Sequence, residues 1–156
     1  MSSGLQVASD AFIEGGMIPA RFTCDGADVS PGLTVSGLPG DTATWALLCD
    51  DPDAPAGDWV HWLVYDLPPA LTHLAEGVAP AELAALGGLT GRNSWSNARY
   101  QGPCPPGGKH RYVFTVFALA AALKLPAGAT KAQFLAAAKG HALGTGKLVG
   151  RYARQR

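Results

Sequence analysis

The sequence predicts a mainly antiparallel β domain with a few helices at its periphery. Apolar runs rich in Val, Leu, Phe, Tyr and Trp recur along the chain, each bounded by Pro, Gly or Asp. The 20 glycines and 12 prolines cut the chain into short elements joined by shaped loops. The helix-like segments are few and do not alternate with the strands, as a parallel β-α-β arrangement would require.

Taken in order, strands are expected at LTVSG (33–37), TWALLCD (44–50), WVHWLVYDL (59–67) and RYVFTVFALA (111–120), with a last one through LVGRY (148–152). PAELAAL (80–86) reads as a short helix, with Pro80 in the first turn, where its missing N–H leaves no bond unmade. The best helix starts at Thr130. Thr130 and Gln133 have capping-box spacing, Phe134, Leu135 and Ala138 make an apolar stripe, and Gly140 or Gly144 should end it. No repeat or linker-like tract divides the chain, so residues 1–156 are read as one domain.

Composition narrows the function classes. At 47% apolar residues, global disorder is excluded. Twelve basic side chains balance twelve acidic ones, which argues against a nucleic-acid surface, where excess Lys and Arg must displace counterions. No apolar run reaches the length of a membrane span, and the start lacks the pattern of a signal peptide. A soluble, cytoplasmic protein is therefore expected. Cys24, Cys49 and Cys104 are too few and too scattered to suggest a disulfide scaffold.

Two histidines interrupt core-like runs. In the strand expected at 59–67, alternation places Trp59, His61, Leu63 and Tyr65 on one face and Val60, Trp62, Val64 and Asp66 on the other. In the 111–120 run and the residue before it, His110, Tyr112, Phe114 and Val116 share a face. A histidine in such a place is as often a core group bonded to a carbonyl as a ligand. Here a proline-stiffened loop precedes each one: DDPDAPAGD (50–58) before His61, and YQGPCPPGG (100–108) before His110. GTGK (144–147) fails as a phosphate loop, because His141 stands where the first glycine belongs and Leu148 follows the lysine. Cys24, Cys104, His61 and His110 lack the close pairs of a structural zinc site, and Asp51 with the two histidines is a weak metal triad; no metal or cofactor is expected.

SPGLTVSGLP (30–39), DDPDAPAGDWVHWLVYDLP (50–68), GPCPPGGKHRYVFTVFAL (102–119) and GHALGTGKLVGRY (140–152) together resemble the phosphatidylethanolamine-binding protein family, in its bacterial Raf-kinase-inhibitor-like branch. The resemblance runs from TCDG (23–26) to the C-terminus. It implies a large antiparallel sheet packed on a smaller one, with peripheral helices and one small anion pocket. Carried over position by position, the pocket would use Asp51, Ala54, Trp59, His61, Gly102, Pro103, Cys104, His110 and Tyr112. It also implies a cis bond between Ala54 and Pro55. Larger members continue into a C-terminal helix beside the pocket; with the chain ending at Arg156, a more open pocket or one covered by a second subunit is expected. The loop 91–100 is less regular than the family pattern.

The function expected is non-enzymatic binding of a small anionic or phosphorylated ligand, with regulation of a partner protein as a further role. The competing reading is a hydrolase or phosphotransfer enzyme using Asp51 and a histidine as an acid–base pair. The residues themselves suggest how Asp51 could sit beside an anion: by accepting a hydrogen bond from one histidine and fixing its tautomer. Aromatic residues read as lying near the pocket (Trp59, Trp62, Trp95, Tyr100) add the expectation of a homodimer.

Overall fold

The computed structural model describes residues 4–154. Its elements are β1 (Gln6–Ala8), β2 (Leu33–Ser36), β3 (Thr44–Asp51), β4 (Trp59–Leu67), β5 (His73–Leu74), α1 (Pro80–Ala85), β6 (Leu89–Thr90), β7 (His110–Leu119), α2 (Lys131–Ala138) and β8 (Ala142–Tyr152). A five-stranded sheet has the order β6-β4-β3-β7-β8, and a three-stranded sheet the order β1-β2-β5. Every pairing between these strands is antiparallel. This is the mainly β, two-sheet architecture expected.

The large sheet is buried on both faces, which explains why its central strands read as nearly continuous apolar runs. On one face Trp45, Leu47, Cys49, Trp62, Val64, Phe114 and Val116 pack with Val7, Leu33, Val35 and Leu74 of the small sheet. On the other, Ala46, Leu48, Leu63, Tyr65 and Leu119 pack with Phe134 and Ala138 of α2. Each large side chain buried here is worth about 1.5–3 kcal/mol relative to exposure. The capping box of α2 is present: Thr130 Oγ1 accepts from the Gln133 N–H, and Gln133 Oε1 accepts from the Thr130 N–H. Leu135 is not part of its buried stripe, being 42% exposed.

Strands β1, β5 and β6 have three, two and two residues and left no periodic signal. β8 begins at Ala142, six residues before the expected start, because the glycines of 144–146 belong to the strand. There Gly146 lets the first strand region approach: a Cβ at this position would meet the Leu5 carbonyl oxygen at 2.5 Å.

β4 departs from regular alternation. Cys49 pairs with Trp62 and Asp50 with Val60, so β4 carries one extra residue, His61, between them. A second extra residue lies where Trp45 pairs with Leu67 and Leu47 with Val64, and Asp66 there has φ +60°. Such bulges bend a strand and re-aim its side chains.

Candidate functional site

The site forms where β3, β4 and β7 meet their proline loops. A cavity of about 340 Å³ opens there, lined by Asp51, Ala54, Pro55, Ala56, Trp59, His61, Trp95, Cys104, Pro105, Pro106, His110 and Tyr112. Seven of the nine expected residues line it: Asp51, Ala54, Trp59, His61, Cys104, His110 and Tyr112. Gly102 and Pro103 lie behind the wall. The Gly102 N–H donates to Asp28 Oδ1 at 2.7 Å, and the Pro103 carbonyl accepts from the Cys24 N–H at 3.1 Å. What approaches Gly102 so closely is the Phe22 carbonyl and not a ligand.

The bulge explains the position of His61. Alternation alone put it on the face of Leu63 and Tyr65, which pack toward α2. With the extra residue, the His61 ring lies instead against Tyr112 and Trp95, at centroid distances of 5.2 and 5.1 Å. Trp59 pairs directly with Asp51, and both line the cavity. The neighbouring carboxylates of β3 diverge, as alternation requires: Asp50 reaches Lys131 of α2, while Asp51 reaches His110.

Both histidines are fixed through Nδ1. His110 Nδ1–H donates to Asp51 Oδ2 at 2.7 Å, and His61 Nδ1–H donates to the Gln101 carbonyl at 2.7 Å. Those acceptors select the tautomer and leave Nε2 as the acceptor nitrogen of each neutral ring. Burial pushes the His61 imidazole below its ordinary pKa, against the opposing pull of the Gln101 carbonyl and, more weakly, of Asp51, the Gly102 backbone and Asp28. Tyr112 lies close to both rings and is fully buried, and its hydroxyl has no hydrogen-bond partner among the described residues. Burial, then the charge of Asp51, pushes this phenol upward, so it stays a neutral donor.

The loops are stapled from outside. Asp51 Oδ1 accepts from the Asp53 N–H, and Asp53 in turn accepts from the Arg111 N–H, Nε and Nη2. The Arg111 guanidinium holds the Asp53 carboxyl at about 2. The Ala54–Pro55 bond is trans, contrary to expectation, and no described residue follows a cis bond. Here Gly57, at φ +106°, donates its N–H to the Ala54 carbonyl at 3.0 Å and closes the turn over a trans bond, the ordinary state of an X-Pro bond.

Cys24 and Cys104 form a disulfide, although their separation of 80 residues gave no local spacing to betray it. It ties the GPCPP wall to the segment after the Ala20–Phe22 turn. It also leaves neither sulfur available to a zinc tetrad. Among the described residues, no group of three or more His, Cys, Asp or Glu side chains is placed to hold a metal ion. Cys49 is free but buried in the core, and burial pushes its thiol well upward.

Sequence reasoning did not assign Trp95 to the site. It did place Trp95 in an aromatic group with Trp59, Trp62 and Tyr100. Of these, Trp62 and Tyr100 are buried and pack edge-to-face in the core, 5.4 Å apart. Only Trp59 and Trp95 reach the cavity. The signal that could have singled out Trp95 was a large aromatic residue in a polar, strand-free stretch, GRNSWSNARY.

Two packed antiparallel sheets, with a cavity lined by two buried histidines at the ends of the central strands, define a two-sheet β protein with a candidate pocket between its proline loops. The comparisons assign it further. The family model for phosphatidylethanolamine-binding protein matches residues 8–153, and the chain belongs to that family. A UPF0098 protein of Methanothermobacter thermautotrophicus is 45% identical over 150 residues, covering 96% of this chain and 99% of the relative. The Chlamydia trachomatis homologue CT736 superposes with a TM-score of 0.91 at 37% identity, covering 99% of this chain and 100% of that one. YbcL of E. coli superposes at 0.89 with 29% identity, covering 97% and 99%. A Mycobacterium tuberculosis relative carrying a lipoprotein name, LppC, is 43% identical over 150 residues, 95% of this chain and 72% of its own. Among the described residues, no helix is long and apolar enough to cross a membrane.

Proposed function

We propose that this protein is a non-catalytic receptor for a small phosphomonoester, bound together with protons. The observation that carries this reading is the Tyr112 hydroxyl, a buried donor without a partner among the described residues, close to two histidines whose Nδ1 atoms are already engaged. Phosphate oxygens would accept from Tyr112 and from the two Nε2 atoms. The charges determine when. Asp51 and His61 both line the cavity, so a proton gained by the His61 imidazole adds positive charge beside that carboxylate. A dianion is therefore held more tightly once His61 is protonated.

Affinity should rise as pH falls through the lowered pKa of His61. Calorimetry with sulfate, which does not titrate in this range, isolates the protein's share of the effect. Tighter sulfate binding at pH 5.5 than at pH 8, flattened in His61→Gln, is the expected result. Replacing His61 or His110 by Ala should weaken phosphate binding by about 1–3 kcal/mol, the scale of a lost charged hydrogen bond. Unchanged affinity in both variants would overturn the assignment. Against the hydrolase reading, the residues lining the cavity include no Ser or Thr and Cys104 is bridged to Cys24, which leaves Asp51, a histidine or a bound water to attack. Release of phosphate from phenyl phosphate by wild type, abolished in His110→Ala, would restore it.

The disulfide supports an oxidising compartment over the reducing cytoplasm first expected, and the lipoprotein-named relative points the same way. A homodimer remains a proposal, resting now on the Trp59–Trp95 rim alone. Sedimentation equilibrium at micromolar protein should give twice the monomer mass; a monomer with and without phosphate would remove it.

A further inference from the structure

The cavity is too large for a bare oxyanion, and only part of its wall is polar. Its volume of about 340 Å³ falls at the lower end of the ~300–1,000 Å³ typical of sites for small organic molecules. Asp51, His61 and His110 supply its ionisable groups, while Pro55, Pro105, Pro106, Trp59 and Trp95 make an apolar wall.

Trp95 is the unusual member of that wall. It is 38% exposed, so the core gains little from it. Yet the loop presenting it is built around a side chain that is only 4% exposed, Asn93. Asn93 Oδ1 accepts from the N–H groups of Trp95 and Asn97, at 2.9 and 3.1 Å. Its Nδ2 donates to the Arg99 carbonyl and to Gln101 Oε1, at 2.8 and 2.9 Å. Both lone pairs and both protons of the amide are thereby used. The loop is also clamped to β4 beside the bulge: the Ser94 N–H donates to the Val60 carbonyl, and the Val60 N–H to Ser94 Oγ. Ser96 adopts φ +68°, a conformation that tightens the turn after the tryptophan. A surface tryptophan held by this much buried hydrogen bonding is a preorganised contact. Its ring packs edge-to-face with Trp59 and with His61, at 5.4 and 5.1 Å, which joins the apolar wall to the titrating floor.

We infer that Trp95 is a specificity-determining residue, and that the ligand is a free phosphomonoester whose organic part is flat and apolar, seated against Trp95 and Trp59. This rests on the phosphate reading of the histidine floor. The ester phosphate would meet His61, His110 and Tyr112, and the organic group would displace water from the tryptophan and proline wall.

The test is a pair of calorimetric titrations, with phenyl phosphate and inorganic phosphate, on wild type, Trp95→Ala and Trp95→Phe. Wild type should bind phenyl phosphate at least tenfold more tightly than inorganic phosphate. In Trp95→Ala that ratio should collapse to within about twofold of unity, and Trp95→Phe should recover most of it. Thermal melts confirm that both variants fold, as expected for an exposed position. Equal affinities in wild type, or a ratio that survives Trp95→Ala, overturns the inference while leaving phosphate binding intact. Failure of wild type to bind inorganic phosphate at either pH 5.5 or pH 8 overturns the phosphate reading, and the role of Trp95 falls with it.

Discussion

Replacing Gly102 with alanine should destabilise the protein by about 3 kcal/mol or more, the upper end of overpacking costs, and distort the pocket wall. A Cβ at this position would sit 2.0 Å from the Phe22 carbonyl oxygen, 2.8 Å from Asp28 Oδ1 and 2.9 Å from the Tyr100 hydroxyl. None of the three can retreat without cost. The Tyr100 hydroxyl donates to that same Phe22 carbonyl at 2.6 Å, and Asp28 Oδ1 accepts from the Gly102 N–H itself. Gly107→Ala, five residues on in the same loop, is the matched control, since its Cβ would meet nothing within 4 Å. It should change stability by about 0.5 kcal/mol or less. Urea unfolding of the two variants beside wild type decides the matter; a Gly102→Ala midpoint equal to that of Gly107→Ala would show the close approach to be dispensable.

Removing the disulfide should cost about 4 kcal/mol. Cys24 and Cys104 are 80 residues apart, and a loop of that length loses conformational entropy in the unfolded chain on this scale when it is closed. The Cys24→Ala/Cys104→Ala double variant should unfold at markedly lower urea than oxidised wild type, and wild type in reductant should move the same way. The Cys24 N–H bond to the Pro103 carbonyl and the Asp28 bond to Gly102 survive the change, so the folded variant should keep its pocket wall. An unfolding midpoint unaffected by reductant and by the double substitution would contradict the entropic account.

Much of the site is legible in the sequence. DPDAP and GPCPP are stiff, local and distinctive, and each leads into a histidine-bearing strand; Asp51, His61, His110 and Tyr112 do converge on one cavity. The Thr130 cap was legible for the same reason, since a capping box is closed by groups three residues apart. The long strands β3, β4 and β7 announced themselves through continuous runs that only a sheet covered on both faces can bury.

Which segments form the central strands and which loops precede the histidines can be read directly from the chain, because both depend on neighbours a few residues apart. Where their side chains point and what they touch is set by packing between distant segments. The face of His61 turns on a one-residue bulge, set by pairing β4 with a strand outside its own segment. The Gly102 N–H is directed away from the cavity by Asp28, 74 residues earlier. Cys104 finds Cys24 across 80 residues, while Trp62 and Tyr100, which composition could not tell from Trp59 and Trp95, face each other in the core. The physical reason is common to all of these. Local propensity and periodicity act over a few residues, whereas pairing register, close backbone approach and bridging are settled when distant segments pack, and each can reverse the orientation that alternation alone assigns.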